Sequence, residues 1–271
     1  MDQEIVVRLS FFFGVFALMA VWEFLAPRRA RPIPRKDRWG TNLAILALDP
    51  LIVRLLFPVL PVSLALIAGE HHWGLLNTLD LPYWPAVMLG FILQDFTIYI
   101  QHVIFHAIPA LWRLHMVHHA DMDIDVTNGL RFHPIEIALS MGLKLAVISV
   151  FGPPALAVLA FEVALNATSM FCHSNVYLPP ELDRIVRLFI VTPDMHRVHH
   201  SVIIRECNSN FGFNHPWWDR LFGTYLAQPA KGHDGMTIGL SQFRDPKRLT
   251  LPWLLAMPFI GDPGPQPINR H

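Results

Sequence analysis

Eight of the chain's fifteen histidines fall into three tight clusters: His102-x3-His106, His115-x2-His118-His119 and His196-x2-His199-His200. Residues three and four apart share a helix face, so each cluster can turn two or three imidazoles toward one point. Imidazole is a ligand for iron, zinc and copper. Eight such ligands exceed what one ordinary metal accepts, so the pattern predicts two metals. A single HxxxH would be weak evidence; three clusters predicted on one side of a membrane are strong. Two isolated residues, His133 and His173, sit at the ends of two predicted helices and could add ligands. His71, His72, His233 and His271 read as exposed or interfacial residues, the first two on the wrong side of the membrane.

A carboxylate accompanies the first cluster. Asp95, Tyr99, His102 and His106 fall at i, i+4, i+7 and i+11, one helical stripe. Acids inside membrane spans are costly and usually functional, and metal-bound imidazoles commonly donate their second N–H to a carboxylate. Asp95 is therefore expected to orient an imidazole. It or Glu136 would offset the charge of a site built from neutral ligands.

The elements that must position these residues are membrane helices. Of the 271 residues, 53% are hydrophobic and 15% charged, where soluble domains carry about 25% charge. Net charge is zero, which removes the basic excess expected of a nucleic-acid binder. Cys172 and Cys207 form no CxxC pattern and argue neither for a disulfide scaffold nor for a zinc finger. Ile5–Ala26 is long enough to span; Asp2 and Glu4 ahead of it argue against a signal peptide. Pro27–Arg38 holds six basic residues against the single acid Asp37 and should be cytoplasmic. Leu43–Ala68, with Pro50, Pro58 and Pro61, reads as an irregular outward span, and Trp84 to about Phe105 returns. Ile135–Phe151 and Pro154–Phe171, joined by Gly152-Pro153-Pro154, read as a helical hairpin entering and leaving on one side. Leu251–Ile260 is too short to span and should lie at the interface or on the domain.

The expected architecture is an all-α integral membrane protein with four to five membrane-inserted helices and a cytosolic, histidine-rich dimetal cap. It forms one domain over residues 1–271: spans within 5–106, a hairpin at 135–171, and a cap from 107–133 and 173–250. The histidine clusters then gather on the cytoplasmic face.

The same residues resemble the fatty acid hydroxylase/sterol desaturase superfamily. The match runs from about Asp95 to Tyr225, roughly half the chain. It covers Asp95-Phe96 before the first cluster, Leu111-Trp112-Arg113-Leu114 leading into the second, and Arg131-Phe132-His133-Pro134-Ile135-Glu136. It continues through His173-Ser174-Asn175, Thr192-Pro193-Asp194-Met195 before the third cluster, and Trp217-Trp218-Asp219-Arg220-Leu221-Phe222-Gly223-Thr224. The resemblance implies a helical membrane protein with a di-iron cap that uses O2 and outside electrons. It also implies that His102, His106, His115, His118, His119, His173, His196, His199 and His200 are ligands. Ser169 departs from the fatty acid 2-hydroxylase branch, which has a histidine there, whereas the sterol methyl oxidase branch carries a histidine where His133 stands. The chain looks more similar to that branch, and to alkylglycerol monooxygenase and bacterial sterol desaturase family proteins.

The expected chemistry is hydrogen removal from an unactivated carbon of a lipid (fatty acyl, sterol or ether lipid) entering from the bilayer. Hydroxylation is favoured; desaturation shares the first hydrogen abstraction. Electrons would come from a separate ferredoxin- or cytochrome-type protein or from a reduced pterin. A zinc membrane hydrolase would show a motif such as HExxH, which the chain lacks. A metal transporter would place its ligands near the membrane midplane rather than at helix ends.

Overall fold

The computed structural model describes residues 2–31, 33–260 and 262–268, excluding the side chain of Asp2. No β-strand occurs among them. The helices are α1 (Asp2–Leu25), α2 (Arg35–Leu56), α3 (Pro61–Glu70), α4 (Leu75–Thr78), α5 (Tyr83–Ala107), α6 (Pro109–His119), α7 (Pro134–Phe151) and α8 (Ala155–His173). The shorter α9 (Pro180–Val186), α10 (Pro193–His199), α11 (Ile204–Cys207), α12 (Trp217–Phe222), α13 (Gly232–Gly235) and α14 (Leu251–Ala256) follow. Among the described residues, five helical segments are long and apolar enough to cross a membrane: α1, α2 continuing into α3 and α4, α5, α7 and α8. Large apolar side chains such as Phe11, Phe13, Leu18 and Phe24 of α1 point outward, as a lipid-facing surface requires.

Proline sets most of the helix starts. It lacks an N–H and has a fixed φ, so it suits the first helical turn; Pro61, Pro109, Pro134 and Pro193 all stand there. The second predicted span breaks at Phe57–Leu60, between Pro58 and Pro61, while Pro50 stays inside α2. At Pro109 the chain turns at once from α5 into α6, with Ile108 capping both helices, and this folds His115 back onto His106.

The α7–α8 hairpin turns at Gly152, whose φ of 56° is left-handed. A Cβ there would lie 2.4 Å from the Trp73 carbonyl oxygen, so the tip is docked against the α3–α4 loop. His71 and His72, exposed in that loop, therefore lie at the hairpin's tip. The opposite end of the bundle collects the C-termini of α5 and α8, the N-terminus of α7, all of α6 and the segment after α1. Arg28 N–H bonds the Asn175 carbonyl there at 2.8 Å.

The basic segment at that end is less solvated than its composition suggests. Arg38 is buried and makes a two-pronged bond to Asp121 (2.8 Å each), with Asp125 at 2.6 Å. Arg28 pairs with Asp194, and Arg31 and Arg35 with Glu23. Lys36 remains exposed. Residues 251–260 do not span. Leu254 and Met257 pack into a core with Ile45, Trp112 and Met116.

Candidate metal centre

Nine histidines converge at this end, all buried, in two groups. His102, His106, His115, His119 and His199 form one; His118, His173, His196 and His200 form the other. Within each group the nitrogens that could serve as ligands lie within 4.8 Å of one another, close enough to hold a metal ion. The division follows helical geometry. The i, i+4 pairs His102/His106, His115/His119 and His196/His200 stay together. The i, i+3 pairs His115/His118 and His196/His199 split between groups, as do the consecutive pairs, because adjacent positions diverge by about 100° around a helix of 3.6 residues per turn.

The outer nitrogens are held by acceptors. Nδ1 of His102 faces the Phe211 carbonyl at 2.7 Å, that of His199 the Ser209 carbonyl at 2.7 Å, and that of His173 the Ser169 carbonyl at 2.7 Å. His118 Nδ1 meets the Arg131 carbonyl at 3.2 Å and His106 Nδ1 the Asn208 side-chain oxygen at 3.0 Å. His115 Nδ1 lies 2.6 Å from Glu136 Oε1. A carbonyl only accepts, so Nδ1 carries the proton and Nε2 is a bare lone pair.

Those lone pairs then face each other. Nε2 of His102 and His115 are 3.0 Å apart, as are Nε2 of His118 and His173. His118 and His173 both face carbonyls through Nδ1 and have no proton to share, so a cation is what satisfies that contact. Nε2 of His106, His119, His199 and His200 has no partner among the described residues. The nine residues thus fit two metal ions with nitrogen ligands. Burial lowers the His115 pKa to about 3, and burial together with neighbouring imidazoles holds those of His118, His119, His196, His199 and His200 well below the usual value. Neutral imidazole is the form that ligates.

Three expectations need correction. His133 is not brought to either group. Its Nδ1 accepts the Ile135 N–H at the start of α7, so Nε2 carries the proton and reaches the Leu255 carbonyl at 3.2 Å. Neither nitrogen has a lone pair left. Asp95 does not meet an imidazole. Its Oδ2 accepts the Trp218 indole N–H at 2.8 Å, and the carboxylate that meets a histidine of the two groups is that of Glu136. His233 is buried rather than exposed, 3.5 Å from Asp194, and burial lowers its pKa to about 4. His271 lies outside the described residues.

Other supporting residues escape a reading based on histidine spacing. Asp219 takes the N–H groups of Phe211 and Gly212 at 2.8 and 2.9 Å, fixing the turn whose Phe211 carbonyl holds His102. Asp121 joins Arg38 to Arg131, whose carbonyl holds His118. Although burial pushes its pKa up, Arg38 and Arg131 hold Asp121 well below the usual carboxylate range.

The family model of the fatty acid hydroxylases, "Fatty acid hydroxylase", matches residues 87–224, half of the chain and the stretch that supplies all nine histidines. The chain belongs to the fatty acid hydroxylase family. It is 33% identical over 169 residues to an ornithine lipid hydroxylase, OlsE, of Rhizobium tropici, covering 61% of this chain and 48% of that protein. It is 28% identical over 189 residues to human alkylglycerol monooxygenase, covering 67% of this chain and 40% of that one. A very-long-chain aldehyde decarbonylase of rice is 25% identical over 169 residues, covering 61% of this chain and 62% of that protein. The chain thus spans about half, or less, of the first two relatives. No solved structure matches it.

Proposed function

We propose that the chain is a membrane-embedded di-iron oxygenase that hydroxylates a C–H bond of a lipid, using O2 and electrons from an external donor. The observation that carries this reading is the pair of buried histidine groups with lone pairs opposed at 3.0 Å, the five-histidine group lining a cavity between membrane helices through His102 and His115. That space, about 230 Å³, is lined by His102 and His115 together with Ile98, Phe105, Leu130, Phe132 and Phe213. Bound there, a pair of iron ions would supply the reduction of O2 and the removal of hydrogen from carbon. The names of the two relatives, an ornithine lipid hydroxylase and an alkylglycerol monooxygenase, support oxidation of a lipid.

The protein's own residues do the rest. Backbone carbonyls and Glu136 keep the Nδ1 protons in place and aim each Nε2 inward. Phe132 stacks on His118, ring centroids 4.4 Å apart, and with Phe213 limits water around the centre. The apolar walls hold the reacting carbon beside His102 and His115. A buried carboxylate, Glu136, partly offsets the charge of a site whose nine nitrogen ligands are neutral. We place the site on the cytoplasmic face, because the basic segment after α1 lies at the histidine end.

The test is metal analysis and product analysis on one preparation. Protein expressed with iron should hold about two metal ions per chain. With a reductant and O2, it should convert a membrane lipid to a product heavier by one oxygen. Active protein with one ion or none would overturn the assignment.

A further inference from the structure

The cavity beside His102 and His115 contains acceptors that the protein does not answer. Asp49 Oδ1 from α2, Gln101 Oε1 from α5 and Glu136 Oε2 from α7 are all buried, and none has a hydrogen-bond partner among the described residues. Asp49 is only 7% exposed and sits in the middle of a membrane helix. Leaving one such oxygen unsatisfied costs about 1–3 kcal/mol, and more if it is charged. An intramembrane acid facing a cavity marks a binding or transfer site by default.

Four of the donors near the same space are turned elsewhere. Asn166 Nδ2 bonds the Glu162 carbonyl at 2.8 Å, and Ser169 Oγ bonds the Gly129 carbonyl at 2.9 Å. Lys144 is turned to Glu162 at 3.7 Å, and Arg8 binds the other oxygen of Glu162 at 2.6 Å. The wall is thus acceptor-rich where it approaches the histidines. Its counterpart is a group with protons to give.

Volume limits how much of a ligand enters. At about 230 Å³ the space lies just under the usual range of ligand pockets, about 300–1,000 Å³. It suits a small polar head and a few carbons, not a whole lipid. A second cavity, about 170 Å³, lies between α1 and α8, shares Glu162 and Asn166 with the first, and is otherwise lined by Arg8, which pairs with Glu162, and by apolar residues such as Leu9, Phe11 and Phe12. It gives the remaining chain a way toward the bilayer.

We propose that the substrate is a lipid whose polar end carries a hydrogen-bond donor, a hydroxyl or a protonated amine. Asp49, assisted by Gln101 and Glu136, accepts its hydrogen bonds and so fixes which carbon lies beside His102 and His115. This rests on the reading of the chain as a lipid oxygenase and adds the head-group class. Asp49 is a specificity-determining residue in it.

The experiment is direct binding to the detergent-purified full chain of known metal content. The probes are single-chain lipids of equal length: a vicinal diol, its O-methylated form, a primary amine, and the corresponding trimethylammonium. The last keeps the charge and removes the donors. Leaving these buried acceptors unanswered should make the methylated form bind roughly tenfold or more weaker than its donor-bearing partner. Asp49→Leu should cut that ratio to about threefold or less while leaving the O-methylated diol's affinity unchanged, with Gln101→Leu giving a smaller loss. The lipid-free Asp49→Leu protein should melt no lower than the wild type, since an unanswered acceptor has gone. Discrimination by the diol pair or the amine pair alone identifies the head. Equal binding of donor-bearing and methylated lipids in the wild type overturns the proposal. So does a ratio that survives Asp49→Leu, or a parallel loss for all four lipids with a lower melting point. Product analysis is kept separate. Donor discrimination without oxidation would sink the oxygenase reading and leave head recognition standing; oxidation without discrimination would do the reverse.

Discussion

Replacing Glu136 separates the two histidine groups, because this carboxylate touches one of them. Its Oε1 lies 2.6 Å from His115 Nδ1, the length of a charge-assisted bond, and His115 belongs to the five-histidine group. Partners of this kind typically contribute 10–100-fold to metal affinity, about 1.4–2.7 kcal/mol. Glu136→Gln keeps an acceptor oxygen at the same reach, so the loss should be near tenfold. Glu136→Leu removes the acceptor and leaves a buried N–H unanswered, so the loss should approach a hundredfold. The four-histidine group is backed by the Arg131 and Ser169 carbonyls and should keep its metal in both variants. Chelator competition against protein loaded with two metals per chain reads this as one labile and one retained ion. Asp95→Asn is the internal control. Asparagine can still accept the Trp218 indole N–H, so both ions should be retained. Unchanged affinity in Glu136→Leu, or equal weakening of both ions without a lower melting point, would refute the reasoning.

Four further outcomes are expected. His199→Ala should empty the five-histidine site and His196→Ala the four-histidine site, while His133→Ala should keep both metals and lose only about 1 kcal/mol of stability through its helix cap; metal content and melting curves check this. The metal-free protein should lose stability as the pH falls below about 6.5. Burial depresses the native pKa of His115 and its neighbours, so protons bind the unfolded chain first, at up to ~1.4 kcal/mol per pH unit for each such residue. Denaturant titration at pH 8 and pH 5.5 should show the drop, and a pH-independent midpoint would contradict it. Cysteines introduced at exposed Lys36 and Asp234 should be labelled from the same side of the membrane, and one at His72 from the other. Arg38→Ala should destabilise the protein by about 3–5 kcal/mol, measured by thermal or denaturant unfolding, because it removes the buried arginine partner of Asp125 and one of the two arginines that hold Asp121.

The helices were legible because membrane spans announce themselves by length and apolarity, and because Gly152-Pro153-Pro154 can only be a turn. The histidine clusters were legible because i, i+4 spacing is a local property. What stayed hidden depends on partners distant in the chain. The fate of His133 was decided by the Leu255 carbonyl, that of Asp95 by Trp218, and that of Arg38 by Asp121. Local pattern assigns a residue to a helix face; it does not say which other segment will offer that face an acceptor or a donor. The basic run after α1 shows the same limit. Its composition suggests a solvated loop, yet four of its arginines are paired with acids from elsewhere in the cap or the bundle.

The supporting layer explains why the stretch from Trp217 to Thr224 belongs to the site although it supplies no histidine. Two imidazoles of the five-histidine group, His102 and His199, lean on carbonyls of Phe211 and Ser209, and His106 leans on Asn208. All three acceptors come from one short segment without regular structure. Such a segment holds a geometry only if its own polar groups are pinned. Asp219 does so through the N–H groups of Phe211 and Gly212 and the Thr224 hydroxyl, and Thr224 O in turn takes the Asn210 N–H at 2.9 Å. Trp218 of the same helix anchors it to α5 through Asp95. The acid on the α5 stripe therefore does serve the imidazoles, at one remove. It fixes the helix that fixes the segment that holds them, and a residue acting through so many packed contacts should influence rigidity at the centre more than its charge.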